Sequence, residues 1–427
     1  MGLSICGIII SMSLFIVLSV KKWNIGIISI VASLVLMLFN FVNPIEGFSN
    51  EFSAGLGLFA SKWWLLFALG ATFGKVMQYS GISKKIAFIM ITKLKCNPIL
   101  AILIISLIMS YGGISTFVIA FTVYPIAIEM FQKENINMEL MPAVMLFCPT
   151  TLAMTMLPGS PSVQNIIPTT YLDTDIYAAP LLGLIASAIT FILGYCYLKK
   201  CAGIKRNIIN MDNKHNVVNV KKEDYLSFIP CMGLLAISFI LIKMQIESQA
   251  TVELALTIGI VLCLLIGRKQ MDIKNSLNEG IQNGLKTLIT TSLIMGYGNL
   301  VKSMDSFSVI TEGLYSAFNS EIISNIVAIN IIAALTGSSA TSLQLFFETF
   351  SGQLVTSSYS VENLHRIMAI ASGGLDSMPY ATGVVVANDL AQTEQSKTYK
   401  HVFVTCAIIP LMVLIVLVFG LSMIISC

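Results

Sequence analysis

Long apolar stretches, separated by short polar ones, predict a chain of membrane-length helices. Residues 3–20 and 24–42 each approach the roughly 20 apolar residues that carry a helix across the hydrocarbon core, and Lys21-Lys22 joins them. Residues 58–79 form a third span, followed by Lys84, Lys85, Lys93 and Lys95. Residues 98–131 are apolar but interrupted at Tyr111–Thr116, so each arm is too short to cross, which predicts a re-entrant hairpin. A broken helix over about 140–170 and a clean span over 178–198 complete the first half. Beyond a polar linker come spans at 225–243, 250–267 and 284–301 and an amphipathic piece ending near Asn319. A second hairpin over 322–355 follows, broken at Thr336–Ser342, then a second broken helix over 362–390 and a last span over 400–425.

The broken helices are where chemistry is expected. Residues 154–168 read Met-Thr-Met-Leu-Pro-Gly-Ser-Pro-Ser-Val-Gln-Asn-Ile-Ile-Pro. Pro158 and Pro161 lack the N–H of an inner turn and crowd the turn before, so no continuous helix passes. At bilayer depth, unpaired backbone survives only inside protein or beside a water-filled cavity. Ser160, Ser162, Gln164 and Asn165 stand at this break, which therefore reads as a binding site. The second break, Ser372-Gly-Gly-Leu-Asp-Ser-Met-Pro379, holds a carboxylate at the same predicted depth.

Composition fixes the class. Only 11% of the 427 residues are charged and mean hydropathy is +0.84, against about 25% charged in soluble domains. The net charge of +3 is small, and its clustering in loops speaks of topology, not of nucleic acid. Nine cysteines lie scattered without a Cys-x-x-Cys pair, so neither a metal nor a disulfide framework is implied. The first apolar run lacks a clear cleavage site and reads as a span rather than a removed signal. The linker of residues 199–223 is dense in lysine and arginine, which by the positive-inside rule puts it in the cytoplasm. Counting spans from there places both termini outside and the two hairpins on opposite faces.

The halves also match in order. Gly112 and Gly337 lie 225 positions apart, Gly74 and Gly298 224, Pro158 and Pro379 221. The expected fold is an all-α polytopic membrane protein of two inverted repeats, residues 1–198 and 224–427. Each has five spanning elements and one re-entrant hairpin, and each carries one broken helix. Secondary transporters use such repeats, with discontinuous helices meeting near the midplane. An intramembrane enzyme is the competing class, but no His-Glu-x-x-His, no Gly-x-Ser-x-Gly and no facing aspartates occur. A channel is the other rival, and an anion exchanger or efflux carrier of the same fold is the alternative to an importer.

The expected substrate ligands are Ser115, Thr116, Ser160, Gln164, Asn165, Ser338, Ser339, Thr341 and Ser377. Hydroxyls and helix N-termini around these breaks suit a carboxylate. Asp376 is the expected coupling residue, with the unwound backbone at Gly113, Gly159, Gly337 and Gly373 able to supply carbonyls to a cation. The bland alternatives are close helix packing for the glycines and serines, and an N-cap for Asp376. Lys75 reads as snorkelling, and Arg366 as lying with His365 near the outer mouth.

At these breaks the chain resembles the gluconate permease (GntP) family of the ion-transporter superfamily. The matching text is Gly112-Gly-Ile-Ser-Thr-Phe-Val118, Pro125-Ile-Ala127, Thr155–Pro168, Ala178-Ala-Pro-Leu-Leu-Gly183, Leu364–Pro379 and Tyr399-Lys-His-Val-Phe403. Within the family it looks closest to the hydroxybutyrate-type branch. The resemblance implies symport of a small organic-acid anion, gluconate-like or shorter, with a proton or sodium ion and no other cofactor. It implies a cell inner membrane location and, by superfamily analogy, a homodimer whose transport unit slides against a scaffold. After the Met-Pro pair the family often has His-Asn, where this chain has Tyr380-Ala381. Tyr380 keeps a hydroxyl for substrate but does not titrate near neutral pH.

Overall fold

Two long helices cross at the centre of the chain, and the elements carrying the breaks flank them. The computed structural model describes residues 2–21, 23–93, 95, 97–111, 116–160, 162–203, 222–244, 248–267, 272–307, 309, 321–354 and 359–425. No strand occurs among these residues. The first half holds α1 (Gly2–Val20), α2 (Ile25–Asn40), α3 (Pro44–Tyr79), α4 (Ile82–Thr92), α5 (Pro98–Tyr111), α6 (Thr116–Lys133), α7 (Met138–Met156), α8 (Val163–Leu172) and α9 (Pro180–Ala202). The second holds α10 (Ile229–Lys243), α11 (Ser248–Gly267), α12 (Ile273–Lys302), α13 (Glu321–Thr336), α14 (Ser339–Leu354), α15 (Val361–Ser372), α16 (Thr382–Ala391) and α17 (Gln395–Gly420).

Helices α3, α7, α9 and α17 are long and apolar enough to cross a membrane. Large apolar side chains stand exposed along α1, α2, α9, α11 and α17. In water such faces would associate; against lipid they are the ordinary outer surface.

The crossing of α3 with α12 is built on missing side chains. A Cβ on Gly280 would meet Thr72, and one on Gly284 would lie 2.8 Å from the Phe67 carbonyl carbon and 3.0 Å from the Ala68 Cα. Gly55 and Gly296 let Met295 and Phe52 carbonyls approach in the same way. Small residues let helices approach closely where lipid supplies no hydrophobic drive between them. This explains why both helices outrun the apolar stretches at 58–79 and 284–301: their polar, glycine-bearing ends are covered by each other. Lys75 does not merely snorkel. Its Nζ lies 3.2 Å from Glu279 Oε2, and the Tyr79 hydroxyl donates to Glu279 Oε1 at 2.7 Å.

Helix α4 is an element the apolar pattern did not reveal. Its lysines read as a loop, yet Ile82, Ile86 and Ile89 fall on one buried face, the spacing of an amphipathic helix. Elsewhere α5 packs on α6 and on α7, and α13 packs on α14 and on α15. The second arm α6 lies against α16, and α14 lies against α8. The interruptions between α7 and α8 and between α15 and α16 are thus enclosed by the paired helices. The amphipathic piece expected up to Asn319 lies outside the described residues from Ile310 onward.

Candidate functional site

Helix α7 loosens before it ends. From Phe147 to Met156 its bonds reach five residues back, as in Leu157 N–H to Leu152 O at 2.8 Å, a geometry frequent at functional sites. Leu157 is then extended and Gly159 adopts φ +76, a conformation strained for any residue with a Cβ. The carbonyls freed here find protein donors. Asn165 Nδ2 reaches the oxygens of Leu157 (3.3 Å), Ser160 (3.1 Å) and Ile176 (3.2 Å). Tyr111 donates to Pro158 O at 3.0 Å and Ser162 to Met154 O at 2.7 Å.

A guanidinium locks this arrangement. Arg366, on α15, is fully buried. It donates to Asn165 Oδ1 at 2.7 Å, to Ile176 O at 3.2 Å and to Ala178 O at 3.2 and 3.0 Å. Its neighbour His365 is also buried, with Nδ1 2.7 Å from Thr174 Oγ1 and Nε2 3.4 Å from Asn165 Oδ1. Arg366 therefore presents no open face to an anion at the outer mouth. It holds the first break from a helix of the other half. An arginine within the apolar run of α15 was the available signal, since a charge at membrane depth needs a partner.

The second break is supported differently. Gly373 admits the other break: a Cβ there would lie 2.8 Å from Thr155 Cγ2. Asn330 on α13 accepts the Leu375 N–H at 3.1 Å, so it braces the unwound backbone from the hairpin. Neither Asn330 nor Thr155 stood out in the sequence, because both lie in otherwise apolar stretches. The Gln395 amide donates to Pro379 O, and the Tyr380 hydroxyl donates to Ala334 O. Ser377 Oγ donates to Asp376 Oδ1 at 2.9 Å.

The two breaks and the second hairpin tip converge on one polar cluster. Gln164 Nε2 donates to Ser339 Oγ at 2.9 Å, joining the start of α8 to the start of α14. The Ser339 side chain also lies beside the partly buried Asp376 carboxylate. Gln164 Oε1 is buried without a hydrogen-bond partner. Gly337 turns the tip with φ +61, and Ser338 Oγ caps α14 by accepting the Thr341 N–H at 3.2 Å. Two helix N-termini, those of α8 and α14, begin at this cluster, with their partial positive charge facing it.

Among the residues expected at a site, Gln164, Ser339, Asp376 and Ser377 are brought together. Ser338, Thr341 and Gly337 shape the tip beside them, and Gly159 and Gly373 shape the breaks. Ser160 is buried, its carbonyl held by Asn165. Asn165 has both ends of its amide engaged by protein. Tyr380 has its hydroxyl on Ala334 and its ring edge-on to Phe15 with centroids 5.5 Å apart. Thr116 Oγ1 contacts Met154 Sδ at 3.4 Å. Gly113 and Ser115 lie outside the described residues.

Known proteins point the same way. The family model of GntP family permeases matches residues 3–373. An uncharacterized transporter of Bacillus subtilis (strain 168), YxjC, is 29% identical over 403 residues, covering 83% of this chain and 85% of that protein.

Proposed function

The chain belongs to the GntP permease family, a membrane transporter and not an enzyme, and from that premise we propose that it imports a small organic-acid anion by cation-coupled symport. The observation that carries the reading is the cluster of Gln164, Ser339 and Asp376, which draws on both halves of the chain at the point where both helices break. The substrate carboxylate sits between the second hairpin tip and the breaks, met by the hydroxyls of Ser339 and Ser377 and by the helix N-termini, with Ser115 and Thr116 kept as further expected ligands on their sequence alone. Asp376 carries the coupling proton or sodium ion.

The helix contacts support inverted repeats over residues 1–198 and 224–427. The pairing of α5 with α7 has its counterpart in α13 with α15, and α6 with α16 in α14 with α8. Likewise α1 with α2 corresponds to α10 with α11, and α3 with α11 to α12 with α2. One relation is unequal, and it supports sliding of an elevator type. On α3, Gly74 is filled by α6, a Cβ there lying 3.0 Å from Phe121 O and 3.3 Å from Pro125 Cγ. At the counterpart Gly298 on α12 a Cβ would meet nothing within 4 Å, and a small cavity lies there against Thr336, Gly337 and Tyr380. A carrier resting at one end of its travel has one seat filled and the other open. The same reading sets the protein in the cell inner membrane as a homodimer with both termini outside.

Uptake of labelled gluconate, 3-hydroxybutyrate and unsubstituted short-chain acids into proteoliposomes, under imposed proton or sodium gradients, tests it. Accumulation of at least one acid driven by one gradient is expected. Exchange without net accumulation would make it an antiporter, and no uptake of any acid would overturn the reading.

A further inference from the structure

Polar bonds tie distant helices into two groups. In one, α1, α2, α3 and α12 with the turn after it are joined. Ser11 meets Tyr297 at 3.0 Å, Ser306 donates to Asn40 at 2.9 Å, and Asn299 donates to the Glu51 carbonyl at 2.8 Å. Lys75 and Glu279 pair at 3.2 Å in the same group. In the other group, the elements around the breaks are tied by Gln164 to Ser339 at 2.9 Å, Arg366 to Asn165 at 2.7 Å and Tyr197 to His401 at 3.0 Å. Thr116 on Met154 at 3.4 Å attaches α6 to this second group. Where α6 meets α3, the two groups touch through contacts of another kind.

Those contacts are rings and glycines. Phe117, near the start of α6, has its ring centroid 5.1 Å from Phe67, 5.8 Å from Trp63 and 6.3 Å from Phe59, all on α3. One turn on, Phe121 lies 5.6 Å from Phe67 and covers Gly70, where a Cβ would come 2.8 Å from its ring. Ring packing is favourable, yet when it parts it leaves no buried donor or acceptor unmet, as a broken hydrogen bond would. Phe117, Phe59 and Trp63 are only partly buried, so the ring can leave its seat without passing through the core. The related seat on α12 has no such rings. At the spacing of 224 that relates Gly74 to Gly298, Asn283, Thr287 and Thr291 replace Phe59, Trp63 and Phe67. On α14, at the spacing of 225 that relates Gly112 to Gly337, Ser342 replaces Phe117.

We propose that Phe117 is a latch: seated among Phe59, Trp63 and Phe67, its ring holds the moving unit at one end of its travel, and every transport cycle has to withdraw it. The inference rests on the sliding motion of the transport reading above. The group containing α3 stays, the group containing α6 moves, and the surface between them is the groove of Gly70 and Gly74. Because the seat on α12 has no rings to offer, the two ends of travel are unequal, and the empty carrier rests with the latch closed. An acid arriving on the face served by the other end meets only the minor fraction of carriers, and its apparent affinity falls by that fraction.

Two measurements test it, with whichever of labelled gluconate or 3-hydroxybutyrate the wild type transports. The first is a reversible lock, Gly70→Cys with Phe121→Cys, made with the native cysteines replaced. A Cβ on Gly70 would lie 3.2 Å from the Phe121 Cβ, close to the separation of about 3.5–4.5 Å that a disulfide spans, and losing the Phe121 ring makes room for it. Oxidation should stop uptake into proteoliposomes, and reduction should restore it. The second is the half-saturation of transport from each face, in intact cells and in inverted vesicles. Phe117→Ala should change the ratio of the two values about tenfold, the weight of the ring pairs lost. A change that merely loosened packing would leave that ratio where it was. An oxidised pair that transports as fast as the reduced one, with its disulfide intact, would overturn the latch while leaving transport standing. So would an unchanged ratio in Phe117→Ala, which decides alone should the reduced pair be inert. Wild-type protein that takes up neither acid would overturn the transport reading beneath it.

Discussion

Replacing Arg366 separates a structural clamp from a substrate ligand, and its expected cost follows from its bonds. Arg366→Met removes the donors that complete Asn165 Oδ1, Ile176 O and Ala178 O. Each buried acceptor left open costs about 1–3 kcal/mol, and the Asn165 oxygen loses less because His365 still stands 3.4 Å away. Against this, the buried guanidinium, held here by neutral acceptors, no longer has to be taken out of water, which returns part of the loss. The balance is a destabilisation of about 2–4 kcal/mol. Arg366→Lys keeps the charge and its desolvation penalty, yet a single ammonium cannot span acceptors on α8 and on the loop after it. Lysine should therefore be no better than methionine. At about 2 cal/mol/K of unfolding entropy per residue, a chain of 427 residues turns 3 kcal/mol into a fall of about 3 °C in apparent Tm. Heating detergent-solubilised variants and measuring the monodisperse fraction by size exclusion reads this directly. A lysine variant as stable as wild type would show that charge, not the donor fork, is what the site needs. A methionine variant of full stability that failed to transport would make Arg366 a contact of the anion instead.

Gly284→Val puts a branched side chain against the backbone of Phe67 and Ala68, where a Cβ already lies 2.8 and 3.0 Å from backbone atoms. It should destabilise by about 1–3 kcal/mol, measured by the same heating assay. Gly298→Leu has open space to fill and should leave thermal stability near wild type while slowing transport, because it obstructs the seat that α14 would take at the other end of travel. Stability falling in step with transport would deny that reading. With the native cysteines replaced, a membrane-impermeant maleimide applied to intact cells should label Asp173→Cys and spare Thr393→Cys. Labelling of both from outside would contradict opposite orientations of the two broken helices.

The breaks were legible because proline and glycine act locally. Pro158 and Gly159, or Gly373 and Pro379, interrupt a helix whatever surrounds them, and the observed gaps fall where the sequence places them. The hairpin arms were equally plain, each apolar run ending at a glycine-rich tip. What the sequence withholds is which polar group meets which. Gln164 and Ser339 lie 175 positions apart, and nothing in either neighbourhood announces the other. Arg366 shows the same limit, because its depth along α15 was readable while its burial depends on α8 and the loop after it. Tyr380 and Asn165 were expected to face substrate on the strength of their polar ends, but those ends complete carbonyls that the local sequence leaves open. Helix α4 was missed because four lysines around it outweighed an apolar stripe that only helical spacing reveals.

The most direct measurement is gradient-driven uptake by Asp376→Asn. The amide is close in size to the carboxylate and still accepts from Ser377, so folding and substrate exchange are expected to survive. Accumulation against a gradient should be lost while counterflow continues. An Asp376→Asn protein that accumulates its organic acid as the wild type does would contradict the claim that the two breaks, meeting at this carboxylate, form the coupled transport site.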